Sequence, residues 1–194
     1  MDIERIRERR RQSVYRRRVR CQIYLLTWFQ EHPCVDCGKS DQRVLEADHR
    51  PGAKRHAIAT LLSQRKLGAL IEELKGCVAR CVNCHRKKTA AERADKTTVA
   101  EHVITYLFAH SCVDCGEKDI DLLDLDHAMD KNIGKYSTRT TRSLGPAAYF
   151  RESEKSDVRC GNCHRIRHQK ESGTYRTKTV QDLKNSLRKN LTTP

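Results

Sequence analysis

Apolar side chains are scarce in this chain of 194 residues. Hydrophobic residues make up 37% and aromatic residues 5%, too little for a core of this size to hold itself without help. No apolar run approaches the ~20 residues that cross a bilayer, so no membrane partner is expected. The first residues, MDIERIRERRRQ, also lack an apolar segment, so no export signal is expected. Acidic residues are in the minority: 25 Asp and Glu face 39 Lys and Arg, a formal charge of +14. That balance points to a polyanionic partner, nucleic acid first. A ribosomal or membrane-surface protein would carry the same charge.

What is present is cysteine, ten in all. Eight of the ten fall into four Cys-x-x-Cys pairs: Cys34 and Cys37, Cys81 and Cys84, Cys112 and Cys115, Cys160 and Cys163. Disulfide frameworks do not favour that spacing, whereas metal knuckles require it. With no export signal expected, the chain reads as a reduced, cytosolic protein. Four thiolates from two knuckles close a tetrahedral zinc site of the structural kind. One zinc is assigned to Cys34, Cys37, Cys81 and Cys84, and another to Cys112, Cys115, Cys160 and Cys163. Zinc binding then supplies folding free energy that the sparse core cannot. Cys21 and Cys77 are left over and match Val99 and Ser156 of the second half, so they read as packing residues.

The cysteine pattern is one part of a repeat. Asp48-His49 lies between the first two knuckles and Asp126-His127 between the last two, each Asp fourteen positions after its first Cys. Each final Cys is followed directly by a histidine, His85 or His164. The organisation expected is a basic arm over 1–20, one unit over 21–95, a second over 96–175 and a helical tail over 176–194. Units of about 75 residues are marginal without a metal.

Local patterns fill in the frame. Residues 1–20 hold nine arginines and suit phosphate geometry. If helical, the arm pairs Glu4 with Arg7 and Glu8 with Arg11. The spacing predicts that this helix continues through Trp28 and Phe29 and stops at His32-Pro33. The second repeat has a similar lead-in through Leu107 and Phe108. The aromatics of both lead-ins are expected in the core. Glycine after each first knuckle, Gly38 and Gly116, permits a tight turn. Residues 43–49 and 121–127 read as strands whose ends present Asp and His on opposite faces. A second strand is expected within the irregular basic stretches at 50–56 and 131–136. A helical stretch follows through Leu61, Leu70 and Leu74. The Arg/Thr segment 137–142 is either a nucleic-acid contact or a loop. A short basic helix should start at each second knuckle, residues 91–98 should link the units, and Val180, Leu183, Leu187 and Leu191 mark a terminal amphipathic helix.

A zinc frame does not need the Asp-His pairs. A carboxylate and an imidazole can hold a divalent ion while a second imidazole activates water. On that reading Asp48 and His85 are ligands with His49 as base, and Asp126 and His164 are ligands with His127 as base. His168 lies one helical turn after His164 and completes the second set, whereas the matching position in the first repeat is Thr89. The alternative is that these histidines cap the zinc fold or contact phosphate.

The run Cys-x-x-Cys, Asp-His, Cys-x-Asn-Cys-His-Arg resembles the HNH endonuclease family, above all its small zinc-framed bacterial and phage members. The likeness covers residues 32–90 and 110–172. It implies a small α+β, zinc-stabilised chain of two tandem ββα-metal units, each with a four-cysteine zinc site, linked and flanked by amphipathic helices. It implies a catalytic divalent ion, usually magnesium or manganese, with zinc or nickel also found. It implies hydrolysis of DNA phosphodiester bonds in the cytoplasm of a bacterial or phage-infected cell. Double-stranded DNA would be held by Arg9, Arg10, Arg11, Arg16, Arg17, Arg18, Arg86 and Arg165. A non-catalytic zinc protein that binds nucleic acid is the rival. The family's orienting Asn falls at Gly76 and Lys155, and Asn83 and Asn162 lie inside the knuckles. Glu73 and Glu152 share a position eight residues before the third Cys of their repeats, where similar family members carry an acidic residue.

Overall fold

A single helix, α1 (Ile3–Glu31), joins the arginine-rich segment to the first apolar stretch. Its first half faces water and gains modest support from Glu8, which pairs with Arg11 at 3.9 Å and accepts from Gln12 at 3.2 Å. Its second half buries Val19, Cys21, Leu25, Leu26 and Phe29. Pro33 follows two residues after its end and disfavours further helix. The computed structural model describes residues 3–92, 100–127 and 143–192. The expected second strand at 131–136, the Arg/Thr segment 137–142 and nearly all of the expected linker 91–98 lie outside them.

After α1 come β1 (Leu45–His49), α2 (Ile58–Gln64), α3 (Leu67–Lys75), β2 (Cys77–Cys81) and α4 (Val82–Glu92). The second repeat gives α5 (Glu101–Phe108), β3 (Leu123–His127), α6 (Pro146–Ser153), β4 (Ser156–Cys160) and α7 (Gly161–Ser172). A 3-10 turn (Tyr175–Thr177) and α8 (Val180–Thr192) complete the chain. The class is small α+β, with two antiparallel two-stranded sheets among the described residues.

Each sheet pairs the strand carrying Asp-His with the strand that ends on the third Cys. In β1–β2 the register sets Leu45 opposite Cys81, Glu46 opposite Arg80 and His49 opposite Cys77. In β3–β4 it sets Leu123 opposite Cys160, Asp124 opposite Arg159 and His127 opposite Ser156. The partner strand is therefore not at 50–56, as the sequence suggested. That stretch is a turn around Gly52 at φ +73°, and it leads into α2 and α3 before the chain returns as β2. The local composition of 50–56 gave no sign that pairing would be deferred by two helices.

The chain divides into two compact units. One comprises Met1–Cys81 together with Gln169–Pro194, and the other Val82–His168. These differ from the sequence repeats: α4, which follows the first repeat's last strand, belongs to the second unit.

In the first unit the core gathers Leu25, Leu26 and Phe29 of α1 with Val44, Leu45, Leu61, Leu70 and Leu74, all 2% exposed or less. The tail closes it. Tyr15 Oη and Ser186 Oγ lie 2.5 Å apart. Arg176 donates to Leu45 O at 2.6 Å and to Gln42 O at 2.9 Å while stacking over Phe29 at 5.0 Å. Leu183 of the terminal helix is buried.

In the second unit Val103, Leu107, Leu122, Leu123, Leu125, Tyr149 and Val158 form the core. Not every lead-in aromatic is inside: Phe108 is 83% exposed. It is the last residue of α5, and only the faces carrying Val103 and Leu107 point inward. Helices α4 and α7 meet at their first turns within this unit. Asn83 N donates to Asn162 Oδ1 at 3.3 Å and Asn162 N to Asn83 Oδ1 at 2.9 Å, so each helix start is satisfied by the other. Gly161 permits the approach, since a Cβ there would lie 2.7 Å from Val82 Cγ1 and 2.9 Å from Arg86 Nε.

Candidate metal centre

The knuckles assemble as the spacing requires. Gly38 at φ +71° and Gly116 at φ +75° turn the chain, and their N–H groups return to Cys34 O and Cys112 O at 2.8 Å. Cys34, Cys37, Cys81 and Cys84 place four sulfurs within 4.8 Å of one another, and Cys112, Cys115, Cys160 and Cys163 do the same. Both tetrads are compatible with zinc. Burial raises the Cys34 thiol, but N–H groups of Cys81, Asp36 and Cys37 outweigh it and bring it down to about 7. Cys112 is lowered by the same balance of burial against backbone donors. Cys163 is pushed up by burial and then by the sulfurs around it. Four crowded thiols resist ionising together, and a divalent cation at their centre removes that resistance.

Cys21 and Cys77 lie outside both tetrads and are buried. Burial, followed by Glu73 and Asp48, pushes Cys77 up to about 11, so it remains a neutral thiol. Its sulfur donates to Glu73 O at 3.4 Å. Ser156, at the matching position, donates to Glu152 O at 2.7 Å.

A third group of donors forms only in the second repeat among the described residues: Asp126, His164 and His168. Asp126 is 2% exposed at the end of β3. Its Oδ1 lies 3.4 Å from His164 Nε2 and 3.5 Å from His168 Nε2, both on α7 and one turn apart. Its Oδ2 is held by Arg167 at 2.8 Å and Arg159 at 3.1 Å. One oxygen is thus engaged by cations, and the other converges with two imidazoles. Burial lowers His164 more than Asp126 raises it, which favours the neutral ligating form. Two nitrogens and one oxygen suit a borderline ion such as zinc or nickel better than magnesium, which prefers oxygen alone.

The first repeat does not build this group among the described residues. Asp48, 7% exposed, pairs with Arg80. Thr89, where the second repeat has His168, donates to His85 O at 2.9 Å along its own helix.

The base candidates are held alike in both repeats. His49 Nε2 lies 2.8 Å from Glu73 Oε1, and His127 Nε2 lies 2.9 Å from Glu152 Oε2. Glu73 is 5% exposed, and Oε1 also accepts the N–H of Arg55 at 2.8 Å and of His56 at 2.9 Å. The His56 N–H outweighs burial and, with Arg55 and His49, holds Glu73 below the usual carboxylate range. Arg167 also donates to His127 O at 3.2 Å, so one guanidinium of α7 holds both residues of the Asp-His strand end.

The arginines sort into two kinds. Arg9, Arg16, Arg17 and Arg20 line a cleft of ≈ 480 Å³ on α1 with Gln12 and Ser13. Arg10, Arg11 and Arg18 are exposed on the same helix. Arg16 also donates to Asn190 O at 3.3 Å, so it packs the tail as well. Arg86 is engaged inside the second unit, paired with buried Asp124 and donating to Leu122 O at 3.2 Å. Arg165 is half-buried.

Sequence reasoning passed over Arg80 and Arg159. Each stands directly before the third Cys of its repeat; Arg80 bridges Asp36 and Asp48, and Arg159 bridges Asp114, Asp126 and Asp157. Arg80 Nε reaches Asp36 at 2.8 Å, and Arg159 Nε reaches Asp114 at 2.8 Å, so each ties the knuckle to the Asp of the Asp-His pair. The shared offset was a visible signal. Among the described residues, no helix is long and apolar enough to cross a membrane. Compared with described protein families, curated proteins and solved structures, the chain matches none.

Proposed function

We propose that this protein is a metal-dependent phosphodiester hydrolase of the HNH type that acts on duplex DNA, with the second repeat as its cutting site. The observation that carries this reading is the convergence of Asp126 Oδ1 with His164 Nε2 and His168 Nε2, next in sequence to a histidine whose other face is held by a carboxylate. A divalent ion bound there supplies Lewis-acid polarisation of the scissile phosphate and stabilises the leaving 3′-oxygen. His127 takes a proton from the attacking water at Nδ1, the water oxygen forms the new P–O bond, and the 3′ P–O bond breaks. The leaving oxygen is protonated from solvent. Arg159 and Arg167 hold Asp126 Oδ2 and leave Oδ1 aimed at the two imidazoles. Two zinc ions in the cysteine tetrads stabilise the frame.

The first repeat serves binding in this reading. It keeps the Glu–His pair but has Thr89 in place of a third donor. The arginines of α1 carry the sequence-independent part of DNA affinity, which falls as salt rises.

The direct test is cleavage of supercoiled plasmid with magnesium, manganese, nickel or zinc, using the zinc-loaded protein. Nicked product that depends on a borderline metal and disappears in His164→Ala supports the reading. Intact plasmid under every metal, with DNA binding retained, would instead assign the chain to zinc proteins that bind nucleic acid without cutting.

A further inference from the structure

The orienting Asn of the HNH family is missing, and in the first repeat a side chain at the expected place would be crowded. A Cβ on Gly76 would lie 3.0 Å from the Ala53 Cβ, and Gly76 O accepts the Arg50 N–H at 2.9 Å. The loop that follows His49 is closed over that position. One helical turn earlier, α3 carries Glu73, and α6 carries Glu152 at the same offset in the second repeat.

Three contacts close a ring around each histidine. The carboxylate accepts from the imidazole: Glu73 from His49 at 2.8 Å and Glu152 from His127 at 2.9 Å. The residue opposite the histidine in the sheet is Cys77 for His49 and Ser156 for His127. That same residue donates to the glutamate's own carbonyl, at 3.4 Å from Cys77 and 2.7 Å from Ser156. Strand pairing, side-chain bond and helix end therefore fix one another, and the arrangement recurs with cysteine replaced by serine. A carboxylate offers only acceptors, so the imidazole hydrogen must sit on Nε2 and the Nδ1 lone pair must point the other way.

Resting on the hydrolase reading above, we propose that Glu152 is the positioning residue for His127, and that Glu73 has the same role for His49. Glu152 fixes the Nε2–H tautomer and leaves Nδ1 to receive the water's proton. Its carboxylate accepts from Nε2 and faces the imidazolium that forms, and the proton returns to solvent after turnover. In this role Glu152 acts through the histidine. An amide in its place can present either its oxygen or its NH₂ group to Nε2. In the second case the hydrogen moves to Nδ1 and the base is lost. The same exchange of carboxylate for amide behind the histidine of a serine-protease triad costs about 10⁴-fold in rate.

The test reads the histidine itself as well as turnover. Full-length, zinc-loaded wild type, Glu152→Gln and Glu152→Asp are compared by long-range ¹H–¹⁵N correlation spectra of His127 at a pH where the ring is neutral, and by kcat, KM and DNA affinity. The expected result is an Nε2–H signature in wild type and its loss or mixture in Glu152→Gln. In that variant kcat should fall at least ~10²-fold, with KM and DNA affinity within about twofold, and Glu152→Asp should recover part of both signals. An Nδ1–H signature in wild type, or a Glu152→Gln protein with wild-type tautomer and kcat, would overturn the proposal. A wild type that shows the Nε2–H signature, lost in Glu152→Gln, yet cleaves no DNA would count against the hydrolase reading while supporting the positioning role.

Discussion

The two repeats share a scaffold and differ at the one place where an exchangeable ion would sit. Both have a sulfur tetrad, an Asp-His strand end, an arginine that ties that Asp to the knuckle, and a glutamate on the histidine. Only the second adds His168, and the change from Thr89 separates a site with three donors from a site with two candidates. What the comparison teaches is that the cysteine tetrad and the Glu–His geometry recur together in both repeats. The metal ligands on the following helix are a separate layer that one copy can lose without disturbing the rest.

The starts of the two helices differ in a complementary way. Val82 and Gly161 occupy equivalent positions after the third Cys, and within the second compact unit the valine fills the space that the glycine leaves. A strictly symmetric pair would either clash or leave a void.

The most severe way to break the likeness is to remove a sulfur. Cys163→Ser should release zinc from the second tetrad and unfold that unit, because apparent zinc binding of about 10–16 kcal/mol exceeds the stability of a small domain. Metal content and far-UV circular dichroism report both, and Cys84→Ser should do the same to the first tetrad.

The next contrast is catalytic. His127→Ala should lower plasmid cleavage by about 10²–10⁴-fold with folding and DNA affinity unchanged, while His49→Ala should leave the rate nearly intact. Equal losses in the two variants would mean that both repeats cut.

Converting the second repeat to the first sharpens the difference further. His168→Thr should weaken binding of manganese or nickel to the zinc-loaded protein by about 10–100-fold, the range known for perturbing the surroundings of a metal site, and calorimetric titration measures it. A smaller effect belongs to the helix crossing. Gly161→Ala should cost about 1–3 kcal/mol of stability by overpacking against Val82 and Arg86, and adding Val82→Ala should recover part of it in denaturant titrations.

The smallest effect is one of pH. Glu73 is held below the usual carboxylate range, so its folded value lies under its unfolded one. Its stabilisation is therefore present above the unfolded value of about 4.3 and is lost as pH falls through the folded value. Glu73→Gln should be less stable than wild type by about 1 kcal/mol at pH 7, and the gap should close as pH falls below about 4 in denaturant titrations.

Much of this was readable beforehand, for reasons that differ by residue. The tetrads were legible because Cys-x-x-Cys fixes its own turn and zinc accepts few alternatives. Helix α1 was legible because its apolar positions recur at helical spacing and Pro33 ends it. In the donor group at Asp126, His164 and His168, the two histidines followed from i, i+4 spacing on one helix. The partner strand was not legible at 50–56, because strand pairing across two intervening helices leaves no local mark. The outward position of Phe108 was missed because a helix-end aromatic looks the same whether it points in or out. The pairing of Arg86 with buried Asp124 was not foreseen. The two lie 38 positions apart, beyond the reach of any local pattern. The glutamates were seen as a shared position, but their target became evident only when the sheet register set His127 opposite Ser156.

The claim that everything else depends on is that the second repeat alone holds an exchangeable divalent ion beside its zinc. Native mass spectrometry of the zinc-loaded protein, titrated with manganese or nickel, counts the ions directly. The expected result is two zinc ions plus one further ion that washes out with mild chelation and is absent in His164→Ala. Two zinc ions and no third at any metal concentration, or a third ion retained in His164→Ala, would contradict it.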